Sequence, residues 1–165
     1  MIKLAFVFPG QGSQSVGMGR DFYDSSDRAK HVYAAFDRIV GNNLSQVCFE
    51  GPEDELKRTL YTQPAILATS IAAYDLFREK VPGVEAKLLA GHSLGEYGAQ
   101  YAGGAIDLET AARLVQRRAL LMEHAPKGAM AAVLGLGLAM IAVPDARSTT
   151  RPCTVWAAAC SHASR

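Results

Sequence analysis

A serine between two glycines is the residue with the clearest chemical promise in this sequence. Ser93 lies in the pattern Gly91-x-Ser93-x-Gly95, directly after the predicted strand 87–90 and directly before a helical pattern. A strand, a sharp turn and a helix in that order form a nucleophile elbow, which exposes the serine oxygen at the carboxyl end of a sheet. The free amides and positive end of the helix would stabilise an oxyanion there. The alternative is an ordinary glycine turn.

An arginine predicted to point into an apolar helix face is the second candidate. On a helical wheel of residues 107–124, Arg118 falls within an apolar stripe, whereas the adjacent Arg117 faces the opposite side. The stripe is formed by Ala111, Val115 and Met122, and it is flanked by Leu108, Leu114, Ala119 and Leu121. An unpaired buried charge costs several kcal/mol, so Arg118 needs an anionic partner. A structural carboxylate or a substrate carboxylate could fill that place.

The glycine loop Gly10-Gln11-Gly12 follows the first apolar run, where ligands gather in open α/β sheets. Ser15 stands where the dinucleotide pattern requires a glycine, and no Gly-Lys-Ser/Thr sequence follows. Neither a dinucleotide site nor a P-loop is therefore expected. The remaining functional use of the loop is to donate backbone N–H groups.

No histidine is placed by the sequence to complete a catalytic triad. His92 precedes Ser93 on the tight turn, and adjacent residues there project in different directions. We therefore expect its ring to be packed or bonded to backbone, and we group His92 with the substrate-binding residues. His31 and His124 are predicted to lie on helix surfaces, and His162 lies close to the last residue.

Strands that alternate with helices must position these residues. The run 4–8 is apolar without alternation, which is typical of a strand buried on both faces of a parallel sheet, and Lys87-Leu88-Leu89-Ala90 is predicted as a second short buried strand. Helical patterns run from about Asp21 to Val40, from Pro64 as a first helical residue to Val81-Pro82-Gly83, and onward from Gly95. This order predicts an α/β fold, a parallel sheet with flanking helices on both faces.

Composition excludes several classes of protein. The 165 residues are 49% hydrophobic, enough for a sizeable core, and 17 basic against 16 acidic side chains leave a net charge of +1. No overall field draws the chain to nucleic acid or to a membrane. Three scattered cysteines favour neither a disulfide framework nor a zinc site, and no export signal is visible. We predict a cytoplasmic protein without a membrane span.

The composition changes near residue 137. Residues 1–137 hold 14 basic and 15 acidic side chains, whereas residues 138–165 hold three arginines, one aspartate and neither lysine nor glutamate. We therefore predict two parts, a domain over 1–137 and an unrelated tail over 138–165 that is frameshifted or poorly ordered. The apolar residues 129–136 are expected to form a core strand at the end of the first part.

Several motifs together resemble one family of enzymes. These motifs are Phe8–Gln14, Thr62–Ala65, Gly91–Tyr97, an arginine 25 positions after Ser93, and Gly128–Val133. In order and spacing they resemble the malonyl-CoA:acyl carrier protein transacylases, acyltransferases of fatty acid synthesis. The resemblance implies part of a hydrolase-like subdomain. It also implies that the family's ferredoxin-like subdomain and catalytic histidine are missing here.

The resemblance also implies roles for individual residues. Ser93 would take a malonyl group from malonyl-CoA and pass it to the phosphopantetheine thiol of acyl carrier protein. The backbone amides of Gln11 and Leu94 would form the oxyanion hole, and Arg118 would pair with the malonyl carboxylate. No bound cofactor, nucleic acid or membrane is implied. The alternatives are a catalytically inactive truncated fragment and a serine esterase or thioesterase, which would need a base within the chain.

Overall fold

The computed structural model describes residues 4–41 and 43–125, which form a small parallel sheet and a set of helices. In chain order these elements are β1 (Ala5–Phe8), α1 (Arg20–Ser25), α2 (Asp27–Val40), α3 (Leu44–Glu50), α4 (Glu53–Leu56), α5 (Thr59–Lys80), β2 (Leu88–Gly91), α6 (Gly95–Ala102) and α7 (Leu108–Glu123). The predicted alternation of strands and helices is therefore confirmed.

The two strands pair in parallel, with Ala5 opposite Leu88 and Phe8 opposite Gly91. The prediction that they are buried on both faces is wrong for the described residues. Val7 is 73% exposed and Leu88 is 62% exposed, while Phe8 is buried. The described helices pack on one face only, since Phe6 meets the rings of Tyr74 and Phe77 on α5.

Helix α5 is the centre of the core. It packs against α2 and α7, which also contact each other. Residues 61–68 of α5 are all buried, so this part of the helix is surrounded by protein on every side. Alanines on the facing helices, such as Ala29 on α2 and Ala111 on α7, are also fully buried and allow close packing. Because α5 is surrounded in this way, its side chains can contact residues of several different elements.

Two predicted helix boundaries are wrong. Helix α5 begins at Thr59, so Pro64 lies inside it rather than at its first position. Proline removes one hydrogen bond of the helix, and the burial of residues 61–68 offsets that loss. The pattern predicted as one helix is divided at Ser26, whose extended backbone separates α1 from α2. The Ser26 hydroxyl caps α2 by accepting from the Ala29 amide at 3.3 Å.

Helix α7 buries a narrower stripe than the wheel indicated. Its buried residues are Ala111, Ala112, Val115 and Ala119. Leu114, Leu121 and Met122 are between 38% and 57% exposed, because the partners of α7 among the described residues cover only the alanine side. Arg118 borders the buried stripe and is half-buried, and Arg117 is exposed, as the wheel predicted.

Two predictions fall beyond these residues. The core strand over 129–136 and the boundary near residue 137 lie outside the described part of the chain. Within 4–41 and 43–125, no helix has the length and hydropathy needed to cross a membrane. The same residues contain no cluster of His, Cys, Asp and Glu suited to a metal ion.

Candidate active site

Ser93 lies on a tight turn between β2 and α6. Its φ is 57°, in the left-handed region that residues with a side chain rarely adopt. The two glycines of the motif make the turn possible. A Cβ atom at Gly91 would collide with the backbone of Gly95, and one at Gly95 would collide with the backbone carbonyl of Phe8. The predicted elbow geometry is therefore present.

Arg118 reaches Ser93 from α7. Its Nη2 donates to Ser93 Oγ at 2.8 Å, and its Nη1 donates to the side-chain oxygen of Gln63 at 2.6 Å. Ser93 is half-buried as well, so the contact is partly shielded from water. The structure thus brings together the two residues that the sequence singled out independently.

The guanidinium of Arg118 has no carboxylate partner among the described residues. Their ion pairs involve other cations, for example Arg58 with Glu123 and Arg38 with Glu109. Both side-chain acceptors that Arg118 uses, Gln63 and Ser93, are neutral. Of the two partners left open by the sequence, a structural carboxylate is therefore not found in this part of the chain. The positive charge remains available for an anion beside Ser93.

Gln11 joins the same network through its side chain. Its Oε1 accepts from Gln63 Nε2 at 3.3 Å, and its Nε2 donates to Thr59 Oγ1 at 3.4 Å. Thr59 and Gln63 are four residues apart on α5 and so share a face of that helix. They hold an otherwise exposed loop residue in place. The loop after β1 is thereby tied to the helix that also binds Arg118.

The backbone amides of Leu94, next to Ser93, and of Gln11, in the loop after β1, are open to an acceptor among the described residues. Leu94 is fully buried and directly precedes the first residue of α6, where helix amides lack partners within the helix. Among the hydrogen bonds of the described residues, neither the Leu94 amide nor the Gln11 amide has an acceptor. Backbone N–H groups of this kind can stabilise an oxyanion.

His92 is exposed, and its ring lies against the loop after β1. Its Nδ1 occupies space that a side chain at Gly10 would need, and its backbone amide donates to the Phe8 carbonyl at 3.0 Å. The described contacts of His92 do not include Ser93. The imidazole therefore borders the site next to the Gln11 loop and is not bonded to the serine.

A base for Ser93 is not present among the described residues. The described partner of Ser93 Oγ is the Arg118 guanidinium, which donates and cannot accept a proton. His31 and His124 are exposed on or next to other helices, as predicted. The site contains an arginine with neutral partners and two backbone amides without acceptors among the described residues, but no described group that would deprotonate the serine.

Gln63 is the site residue that the sequence reasoning missed. It is fully buried and lies in the middle of the Arg118 and Gln11 contacts. The prediction that the helix begins at Pro64 placed Gln63 outside the helix, where its burial could not be seen. The available signal was a polar residue within the apolar run 60–68.

Comparison with known proteins assigns the family. A model of the acyl transferase domain matches residues 5–157. This chain belongs to the acyl transferase family. The malonyl CoA-acyl carrier protein transacylase of Bacillus subtilis strain 168 is 44% identical over 139 residues, which cover 82% of this acyl transferase chain and 43% of that relative.

Solved structures agree with this acyl transferase assignment. The acyl-carrier-protein S-malonyltransferase from Bartonella henselae superposes with a TM-score of 0.73 at 39% identity, covering 76% of this chain and 41% of that chain. A chain in the structure of a type II PKS acyl-carrier protein in complex with its malonyl-transacylase superposes with a TM-score of 0.71 at 42% identity. The match covers 76% of this chain and 40% of that chain. The described residues therefore form part of the acyltransferase fold.

The acyl transferase chain spans less than half the length of the curated transacylases it matches. The family match itself runs to residue 157, beyond the compositional change near residue 137. The division into 1–137 and 138–165 stays a prediction.

Proposed function

We propose that this acyl transferase moves a malonyl group from coenzyme A to acyl carrier protein through an ester on Ser93. One observation carries the proposal: a guanidinium without a carboxylate partner among the described residues donates directly to the oxygen of an elbow serine. A thioester carbonyl placed at that oxygen puts the acid group of a malonyl chain, two carbons further on, within reach of Arg118. An uncharged acyl group offers Arg118 no negative charge to pair with.

The proposed reaction has two halves. Ser93 Oγ attacks the thioester carbonyl, the carbon–sulfur bond breaks, and coenzyme A leaves as a thiol with the serine proton. The phosphopantetheine thiol of the carrier protein then attacks the serine ester, and the proton of that thiol returns to Ser93 as the malonyl group departs. Both halves pass through a tetrahedral oxyanion. The backbone amides of Gln11 and Leu94 are the proposed donors to it.

The partners and the compartment belong to the same proposal. The relative in the solved complex is a malonyl-transacylase bound to its acyl-carrier protein, which supports the carrier protein as acceptor here. His92 is proposed to border the bound substrate, since it lies next to the Gln11 loop. The proposed location is the cytoplasm, which rests on the few and scattered cysteines of the sequence.

Covalent labelling tests the proposed function. The 165-residue chain is incubated with malonyl-CoA, quenched in acid, digested, and analysed by mass spectrometry for a malonyl ester on the peptide containing Gly91–Gly95. The ester is expected on Ser93 and absent in the variant Ser93→Ala. A malonyl ester on another residue, or equal labelling of Ser93 by acetyl-CoA, would sink the proposal.

A chain that binds malonyl-CoA without turning it over is the second candidate. The observation that favours it is the lack of a described base at Ser93, since general base assistance typically contributes 10²–10⁴-fold. The same samples separate the two candidates. Binding of malonyl-CoA in calorimetry together with an unlabelled Ser93 supports the binding-only chain, and a labelled Ser93 rejects it.

A further inference from the structure

Gln63 binds the guanidinium of the candidate site from the centre of α5. Its side-chain oxygen accepts from Arg118 Nη1 at 2.6 Å. Its side-chain nitrogen donates to Gln11 Oε1 at 3.3 Å and to Met122 Sδ at 3.1 Å. The residue is fully buried, so these contacts replace water on both ends of the amide.

The orientation of this amide is determined by Arg118. A guanidinium only donates hydrogen bonds, so it requires the amide oxygen. If the amide were flipped, its NH₂ group would face the NH groups of Arg118, and its oxygen would face the acceptors on Gln11 and Met122. The guanidinium therefore directs the amide oxygen toward itself, and the contacts to Gln11 and Met122 are made by the opposite, donating end. Gln11 and Met122 come from different elements, so the orientation is produced by the tertiary structure.

The partner is neutral, which is unusual for a shielded arginine. Arginine is rarely buried without a carboxylate, because a carboxylate offsets the cost of removing the charge from water. A carboxylate at position 63 could hold Arg118 in the same place, but it would also neutralise it. An amide oxygen supplies the hydrogen bond and leaves the charge uncompensated.

We propose that Gln63 is a positioning residue that selects acyl groups ending in a carboxylate. It fixes one guanidinium nitrogen of Arg118 without neutralising it, so that the second nitrogen and the full charge are left for the acid of the substrate. When a malonyl group arrives, Nη2 moves from Ser93 Oγ to the carboxylate while Nη1 stays on Gln63. The serine oxygen is released in the same step. This inference rests on the proposed function.

Two substitutions of Gln63 separate charge from shape. Gln63→Glu keeps the size and the acceptor toward Arg118 and adds a competing negative charge. Gln63→Met keeps the approximate size and removes the acceptor. Matched controls are Gln46→Glu and Gln46→Met, because Gln46 is an exposed glutamine on α3. Thermal melts followed by circular dichroism establish that each variant is folded.

The measurement is the ratio of affinities for malonyl-CoA and acetyl-CoA, obtained by calorimetry on the 165-residue chain. We expect Gln63→Glu to lower the ratio roughly 10- to 100-fold through loss of malonyl-CoA affinity, because its carboxylate occupies the charge of Arg118. Gln63→Met should lower the ratio as well, by roughly tenfold or less, because Arg118 keeps its charge but loses its fixed position. The Gln46 variants should keep the wild-type ratio.

Each result decides between the alternatives. If Gln63 were merely structural, Gln63→Glu would either keep the ratio or weaken the binding of both ligands equally, and either outcome overturns the inference. A wild-type chain without preference for malonyl-CoA would overturn the proposed function itself, and this inference with it. Should Gln63→Met fail to fold, the nearly isosteric Gln63→Glu decides alone.

Discussion

At the scale of residues, the site is a contact between the Arg118 guanidinium and the Ser93 hydroxyl. No described residue is placed to act as a base for that hydroxyl. Arg118 holds Ser93 Oγ at 2.8 Å, and this geometry suits recognition of an anionic substrate better than activation of a nucleophile. A serine esterase would have no use for the uncompensated arginine and would need a base. The esterase alternative therefore receives no support from the described residues.

Substitution of Arg118 should separate carboxylate recognition from acyl binding in general. We expect Arg118→Met to weaken malonyl-CoA binding by roughly 1.5–3 kcal/mol, or about 10- to 150-fold, because a charge-assisted hydrogen bond in a shielded site is lost. Acetyl-CoA binding should change little. Titration calorimetry with both ligands measures the difference.

The neighbouring arginine provides the control. Arg117 is exposed on the same helix, so Arg117→Met should leave both affinities close to wild type. Equal losses for the two ligands in Arg118→Met would contradict the role in carboxylate binding and assign Arg118 a structural role.

At the scale of elements, two of the seven described helices, α2 and α7, begin with a side-chain cap, and the two caps differ in chemistry. The carboxylate of Asp107 accepts from the Thr110 amide at 2.7 Å at the start of α7, which carries Arg118. At the start of α2, the cap is the neutral hydroxyl of Ser26. Hydrogen bonds from the Thr110 backbone and side chain lower the pKa of the Asp107 carboxyl below its usual value. The stabilisation from Asp107 must therefore depend on pH.

Comparison of the two caps tests this dependence. A carboxyl whose pKa is lowered by folding stabilises the folded state above its unfolded pKa, and that stability is lost as pH falls through the folded pKa. We therefore expect Asp107→Ala to destabilise the chain at pH 7 and to have a shrinking effect as the pH is lowered below about 4. Denaturant titrations at several pH values measure the difference from wild type.

Ser26→Ala is the matched control for that series. Removal of a hydroxyl cap typically costs about 0.5–2 kcal/mol, and a hydroxyl does not titrate in this range. Its cost should be constant across the pH series. If the cost of Asp107→Ala were also constant, the cap would not act through the charged form of Asp107.

At the scale of the whole molecule, one face of the sheet is uncovered by the described helices. Val7 and Leu88 point to that face, and both are largely exposed. Leu114, Leu121 and Met122 on α7 add further exposed apolar surface. Contiguous exposed apolar surface promotes association and dye binding. The chain spans less than half the length of its relatives. We therefore predict association and dye binding for the 165-residue chain itself.

Polar substitution on the sheet face should reduce that association. Threonine suits a strand, so Val7→Thr with Leu88→Thr should leave the fold intact while dye fluorescence and self-association both fall. Light scattering across a concentration series and a hydrophobic dye provide the readouts. The control is Val16→Thr, which replaces an exposed valine in the loop after β1. A monodisperse wild-type chain that binds no dye would contradict the prediction.

The sequence by itself determined the local features of this protein. The order of strand, glycine turn and helix predicted the elbow at Ser93, since a Cβ at Gly91 would meet backbone of the same turn, at Gly95. The close approach of Gly95 to the Phe8 carbonyl is a tertiary contact that the local sequence does not show. Helical periodicity predicted the inward direction of Arg118, because that direction depends only on the residue's place on its own helix. The motifs also predicted the acyl transferase family, which the family match confirms.

Only the tertiary structure decided what those residues contact. Gln63 is 55 positions from Arg118 and 52 from Gln11, and no local periodicity relates residues so far apart. The packing of α5 against α7 brings them together, and it also leaves Arg118 with neutral partners among the described residues. The start of α5 at Thr59 and the exposure of one sheet face also depend on which elements pack against these segments. Burial and long-range contacts override local patterns, because a side chain's partners come from elements that its own segment does not encode.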